Sequence, residues 1–447
     1  MSDGTARGGE SRLRRDIGLS GSAFLSFNGI VGAGIFALPA TLHLQFGTFS
    51  PWLFPIFGLL ILLVAIPFAR LAALHADSGG PVVYAAVFGP AASFQVGWLY
   101  YLARVTALAA NANVFAIYAG ALWQPLAGPA GRFVLIAALT GLVTWVNVVG
   151  VRRAVRLLDA ATLLKAFPLV ALAIWGLAVA GGRMPEPASL PSLAGIEAAA
   201  LVVLYAFIGF ENSVVPAGET RHPERTIPRA LVATVVATAT LYFLVQLAYV
   251  AVMPAGGTPD APLAEFAQVL VGPAGLVLLS ATAMASVGGN LLGSMTSTPR
   301  ATFALARQGL LPRWFGEVSP RWHTPANSIL FMGLLGAVLA LSGSFVWLAV
   351  ASTLARLIVY GVCIAALPAA RRKSGLGTGP GMVLSMSGGL LVCLWAAAQS
   401  AAASWLMLGG LLLAGLMLYV LARRQAVSSS AETVSSIQPP PSTREPE

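Results

Sequence analysis

The chain divides into twelve apolar runs, at about 18–45, 50–72, 92–121, 130–150, 156–180, 195–218, 228–253, 273–298, 325–342, 344–367, 383–400 and 402–422. Most reach the roughly 20 residues that cross a bilayer as a helix. In lipid every backbone polar group must find its partner within the protein, so only helices or a closed barrel are available. The period-2 alternation of barrel strands is absent from these runs. The pattern therefore predicts an all-α polytopic membrane protein, with the short turn Ser342 to Ser344 dividing runs nine and ten. Composition agrees: 57% hydrophobic, 9% charged and a mean hydropathy of +0.81 are far from a soluble domain.

Arginines orient the runs. Arg7, Arg12, Arg14 and Arg15 precede run one, Arg152, Arg153 and Arg156 follow run four, and Arg221, Arg225 and Arg229 follow run six. The same side carries Arg300, Arg307, Arg313 and Arg321 after run eight, Arg371, Arg372 and Lys373 after run ten, and Arg423 and Arg424 after run twelve. The opposite loops hold little beyond Arg132 and Arg183, so the positive-inside rule predicts a multi-pass cell-membrane protein with both termini cytoplasmic. The net charge of +10 is thereby topogenic, and nucleic-acid binding is not needed to explain it. Residues 1–16 read as a basic cytoplasmic tail before a retained first helix, not as a cleaved leader. Residues 426–447, rich in Ser, Pro and Glu, read as a disordered cytoplasmic tail. Cys363 and Cys393 lie in apolar runs and His43, His75, His222 and His323 are scattered, so neither a metal site, a cofactor nor an enzymatic constellation is expected.

Two runs are interrupted where a membrane helix should be continuous, at IVGAGIF (Ile30 to Phe36) and at YAFIGFE (Tyr205 to Glu211). The interruptions fall at matched places in the two halves of the chain. Runs one to five (about 18–180) and six to ten (about 195–367) then form two repeats of five, and because five is odd the second enters the membrane inverted. Two further helices at about 383–422 lie outside the repeats, within a transmembrane region of 17–425. Paired, glycine-interrupted runs of this kind point to a transporter whose substrate site lies near the bilayer midplane. The amides of Gly32, Ala33, Gly34 and Ile35 open the outer half of helix one at its positive dipole end, a receptor for an α-carboxylate. Carbonyls around Tyr205, Ala206, Phe207 and Ile208 end the outer half of helix six and suit an α-ammonium. The competing reading is that the glycines only let helices pack closely.

One of the two lysines, Lys165, lies inside run five, whereas the chain has twenty-four arginines. An intramembrane cation is a functional hypothesis by default, and a desolvated lysine, unlike arginine, can lose its proton. Snorkelling or a structural ion pair is the alternative. Arg104, Glu211 and Arg356 are also intramembrane, and structural pairing is expected for them, with Arg356 alternatively facing the pathway.

The ordered set of motifs carries a resemblance. GAGIFALPA (Gly32 to Ala40), SGGPVVYAAVFG (Ser78 to Gly89) with Gly97 and Trp98, and NVVGVRRA (Asn147 to Ala154) are followed by GFENSVVPAGETRHPERTIPRAL (Gly209 to Leu231), Arg300, ALARQGLLP (Ala304 to Pro312) and TPANSIL (Thr324 to Leu330). Together they resemble the amino acid, polyamine and organocation transporter superfamily. The resemblance implies a twelve-helix amino acid permease with a five-plus-five inverted-repeat core and discontinuous helices 1 and 6. It implies Tyr205 as an aromatic gate over the substrate, with Phe207 and Ile208 lining the side-chain pocket. It further implies that Lys165 stands where relatives bind sodium, contacting carbonyls of Gly29, Ile30 and Val31, with Ser286 as a weaker partner. The apolar character of these residues favours a neutral amino acid, and protons are the expected coupling ion. Exchange or export of an amino acid or polyamine, and a membrane nutrient sensor that does not transport, are the other readings.

Overall fold

A computed structural model describes residues 15–74, 80–150, 165–181, 190–254, 259–377 and 379–435. The described helices are α1 (Leu19–Ile30), α2 (Ala33–Phe46), α3 (Ser50–Leu74), α4 (Pro81–Ala85), α5 (Pro90–Leu122), α6 (Pro129–Val149), α7 (Ala166–Val179) and α8 (Leu193–Tyr205). They continue as α9 (Pro223–Val252), α10 (Pro262–Val271), α11 (Pro273–Ser297), α12 (Pro299–Arg307), α13 (Ala326–Ser342), α14 (Phe345–Lys373), α15 (Pro380–Ala398) and α16 (Ala402–Ser435). Proline opens many of them, as at Pro90, Pro129, Pro223 and Pro273, where its missing N–H costs no helical bond. Nine helical stretches among the described residues are apolar and long enough to cross a membrane, and Ala166–Val179, Pro262–Val271 and Ala326–Ser342 are shorter apolar helices.

The first set of five is α1/α2, α3, α5, α6 and α7, and the second is α8, α9, α11, α13 and α14. Packing relates them: α3 lies on α9, α5 on α11 and α6 on α13, each helix against its counterpart, as a two-fold relation brings about. The apolar residues of these contacts form one continuous buried core. Outside it, α15 packs on α3 and α14, and α16 is held to α5 by the Trp98 indole N–H, which donates to the Leu411 carbonyl at 2.9 Å. Just before α1, Ile17 pairs with Thr220: its N–H donates to Glu219 O at 3.0 Å and its carbonyl accepts from Arg221 N–H at 2.8 Å.

Two sequence expectations need amending. Run six, expected to continue to about 218, is α-helical only as far as Tyr205; beyond it the chain forms turns and two short 3-10 turns, Phe210–Ser213 and Ala217–Glu219. Gly209, at φ +118°, adopts the left-handed backbone that stops an α-helix from resuming. The tail expected to be disordered from 426 begins as helix, since α16 runs to Ser435, ten residues being added to a run already in register. Residues 436–447 lie outside the described residues, as do the start of run five, its neighbours Arg152, Arg153 and Arg156, and Arg7, Arg12, Arg14, His75, Ser78 and Arg183.

Candidate functional site

The first break is two residues long. Helix α1 ends at Ile30, the chain bends at Val31 and Gly32, and α2 starts at Ala33 with no side chain capping its N-terminus. Its leading amides therefore keep donors that the helix cannot use. On the other side of the break, exposed carbonyls are taken by side chains from distant helices. The Lys165 ammonium donates to Val31 O at 2.6 Å, to Asn28 Oδ1 at 2.8 Å and to Asn28 O at 3.2 Å. Ser286 Oγ and Asn290 Nδ2 also approach Val31 O, at 3.4 and 3.5 Å, and the Tyr242 hydroxyl donates to Ile30 O at 3.2 Å. Of the three carbonyls expected to face Lys165, Val31 does; Ile30 is held by Tyr242, and Gly29 is used for packing.

The second break is held differently. Turns return the Ala206, Phe207 and Ile208 N–H groups to the carbonyls of Val203, Leu204 and Tyr205 at 3.1, 2.9 and 3.2 Å. The Glu211 carboxylate accepts from Gly209 N–H at 3.0 Å, the Tyr360 hydroxyl at 2.9 Å and Arg356 Nε at 3.1 Å. Arg356 also donates to Ala103 O at 3.1 Å and to Ser352 Oγ. Glu211 and Arg356 are 0% and 3% exposed, so this is a buried, hydrogen-bonded ion pair. Arg356 borders the cavity as well, which joins the two roles considered for it.

The breaks touch back to back. A methyl on either Gly29 or Gly209 would overlap the other's backbone, and one on Gly34 would lie 2.8 Å from Ala206 Cα. Close packing is therefore one use of these glycines. A cavity of about 800 Å³ lies against the pair, bordered by Gly32, Ala33 and Gly34 from the first break and by Tyr205, Ile208 and Gly209 from the second. It extends past α5 and α11 to exposed Ser297, Arg300 and Gln308, at the arginine-rich end of the bundle. At its other end the Tyr205 ring meets Phe345 edge to face, with centroids 5.7 Å apart.

Three side chains near the breaks point elsewhere, of which only that of Phe207 was expected to line the pocket, Ile35 and Ala206 having been named for their backbone groups. Ile35 is fully buried in the core behind the cavity, Ala206 is packed on Gly34, and Phe207 stands among Phe54 and Tyr242 with ring centroids at 6.4 and 5.8 Å. The side-chain pocket expected from Phe207 is thus turned away from the cavity, because the turn after Tyr205 swings that ring toward α3 and α9.

Sequence reasoning passed over the amides. Asn28, Asn111, Asn212 and Asn290 all line the cavity. Asn111 Nδ2 donates to Ala107 O at 2.7 Å, which directs Oδ1 toward Gly32, where it is buried with no hydrogen-bond partner. The signal available was four amides in apolar runs, where polar side chains are costly. Arg104 also borders the cavity, donating from Nη1 to Asn212 Oδ1 at 2.8 Å, from Nη2 to Ser297 Oγ at 3.1 Å and from Nε to Thr298 Oγ1 at 3.2 Å. The expected ion pair is absent here among the described residues. No group of residues able to hold a metal ion occurs among them either.

Comparison with known proteins places this geometry. The chain is 30% identical to an uncharacterized transporter of Mycobacterium tuberculosis over 336 residues, 73% of this chain and 74% of the relative. It is 30% identical to the cadaverine/lysine antiporter of Escherichia coli K12 over 340 residues, with the same two shares. It is 33% identical to the vacuolar cationic amino acid transporter 4 of Arabidopsis thaliana over 153 residues, 33% of this chain and 25% of the relative. A family model described as amino acid permease matches residues 17–420, and the chain, a multi-pass membrane protein, belongs to that family.

Proposed function

We propose that the protein is a secondary active transporter of amino acids that works by alternating access. The observation that carries this reading is the meeting of two helix breaks, across Gly29 and Gly209, at the wall of a cavity of about 800 Å³. The leading amides of α2 receive the substrate carboxylate, with Gly32, Ala33 and Gly34 admitting it to the backbone. Carbonyls following Tyr205 and the unpartnered Asn111 Oδ1 receive the ammonium. Tyr205, backed by Phe345, covers the ligand on the far side. With the arginine-rich end cytoplasmic in the cell membrane, this conformation faces inward.

Lys165 takes the place of a coupling cation. Protonated, it satisfies the carbonyls of Asn28 and Val31; deprotonated, it leaves them short of a donor, loosens the first break and biases the conformational equilibrium. The proton is then the coupling ion, and no sodium is required. Names of relatives favour a second reading within transport: the Escherichia coli protein is an antiporter named for cadaverine and lysine, so exchange of an amino acid for an amine is the alternative to uptake.

The test uses purified protein in liposomes, with a panel of labelled amino acids and their decarboxylated counterparts, with and without a pH gradient. Sodium-independent accumulation driven by an inward proton gradient, with amines taken up poorly, is expected. Strict sodium dependence overturns the coupling role of Lys165. Equal handling of an amino acid and its amine overturns the zwitterion site, and binding without any flux returns the protein to a sensor.

A further inference from the structure

Among the described residues the cavity lining carries one sign of charge: it includes Arg104, Arg300 and Arg356 and neither an aspartate nor a glutamate. Arg300 stands at the exposed mouth, away from the meeting of the two breaks. Arg356 is matched by Glu211 at 3.1 Å. Arg104 is half-buried, and among the described residues its bonds go to Asn212, Ser297 and Thr298, all neutral acceptors that satisfy donor direction without balancing charge. A guanidinium cannot shed that charge by deprotonation, and its planar fork fits a carboxylate in bidentate fashion.

Position gives the charge meaning. Asn212, which accepts from Arg104, packs directly on Gly29, so the guanidinium is one side chain from the place where the breaks meet. Along the cavity the groups then run from donor amides of α2, to an acceptor in Asn111 Oδ1, to a cation in Arg104. That order complements an anion, a cation and a second anion.

We propose that Arg104 is a specificity-determining residue and that the substrate class is acidic α-amino acids. Arg104 takes the side-chain carboxylate, and a substrate with a cationic side chain is refused because its ammonium would face the guanidinium. This rests on the amino acid transport reading above and narrows it from the neutral class that the breaks alone favour. It also separates the chain from relatives named for lysine, cadaverine and cationic amino acids.

The experiment measures binding of L-glutamate, L-glutamine and L-lysine to the purified full-length protein and to Arg104→Gln and Arg104→Lys. The wild type is expected to bind glutamate most tightly and lysine least. Arg104→Gln lowers glutamate binding relative to glutamine by about tenfold, or about 1.4 kcal/mol. Arg104→Lys, which keeps the charge but loses the fork, retains the order of glutamate above lysine. Lysine binding as tightly as glutamate to the wild type, or a glutamate-to-glutamine ratio unchanged in Arg104→Gln, overturns the charge assignment while leaving amino acid transport standing. Binding of none of the three overturns the acidic class, and the amino acid panel above then decides whether the transport reading stands.

Discussion

The two helix breaks expose opposite ends of the backbone and are held by groups of opposite charge. At the first, a lysine ammonium and neutral donors gather on the carbonyls of Asn28, Ile30 and Val31. At the second, a carboxylate gathers the Gly209 N–H, the Tyr360 hydroxyl and the Arg356 guanidinium. The holding groups also differ in permanence. A lysine without an acid partner can give up its proton, whereas arginine paired with a buried carboxylate stays charged. We therefore expect the second break to be a fixed element and the first to be the adjustable one, and this asymmetry yields the following tests.

The largest effect is expected at the fixed break. Glu211→Gln leaves the Arg356 charge buried and uncompensated, which costs about 3–5 kcal/mol of stability. Thermal unfolding in detergent should show a marked fall or a failure to accumulate folded protein. A variant as stable as the wild type would remove the distinction between the breaks. Next comes the contact between them. Gly34→Val places a branched side chain against the Ala206 backbone, and overpacking of this kind costs about 1–3 kcal/mol. Stability and substrate binding should fall together; binding lost at unchanged stability would mean that Gly34 serves only as an approach to the amides.

Lys165→Ala tests the adjustable break. It removes the donor closest to Val31 O and leaves the two longer contacts from Ser286 and Asn290, so the expected loss is about 1–3 kcal/mol of stability. Transport should weaken and lose its dependence on the proton gradient. If the alanine variant keeps the pH profile of the wild type, Lys165 is a prop and the first break is as fixed as the second.

How much of this was legible in the sequence follows from range. Run lengths and the interrupted glycine motifs are local signals, and among the described residues the apolar helices and both breaks lie where these signals put them. Lys165 stood out because one lysine in an apolar run is conspicuous without any neighbour. The pairing of Glu211 with Arg356 joins residues 145 apart, and that of Arg104 with Ser297 joins residues 193 apart, so no window along the chain contains either. Phe207 was expected on the cavity from the resemblance alone, and no local signal showed that the turns after Tyr205 carry its ring into the core beside Phe54 and Tyr242. The amides could have been found, since Asn111 and Asn290 are polar residues in otherwise apolar runs, yet nothing in their spacing indicated that they converge.

The smallest expected effect belongs to Tyr205, which ends α8 and reports whether the far side of the cavity is closed by a gate or by ordinary packing. Its ring meets Phe345 at 5.7 Å and an interplanar angle of 81°, an edge-to-face pair of the kind worth about 0.5–1.5 kcal/mol beyond buried area. Removing the ring in Tyr205→Ala should therefore raise the apparent substrate Kd by roughly two- to twelvefold. Tyr205→Phe keeps the ring and should stay within about twofold. Since the cover consists of two rings acting together, Phe345→Ala should mimic Tyr205→Ala, and the double variant should cost less than the sum of the two, because the second truncation removes an interaction already lost. Additive losses would mean that the rings act separately. An alanine variant with unchanged substrate affinity would return Tyr205 to packing and leave the second break without any part in closing the site.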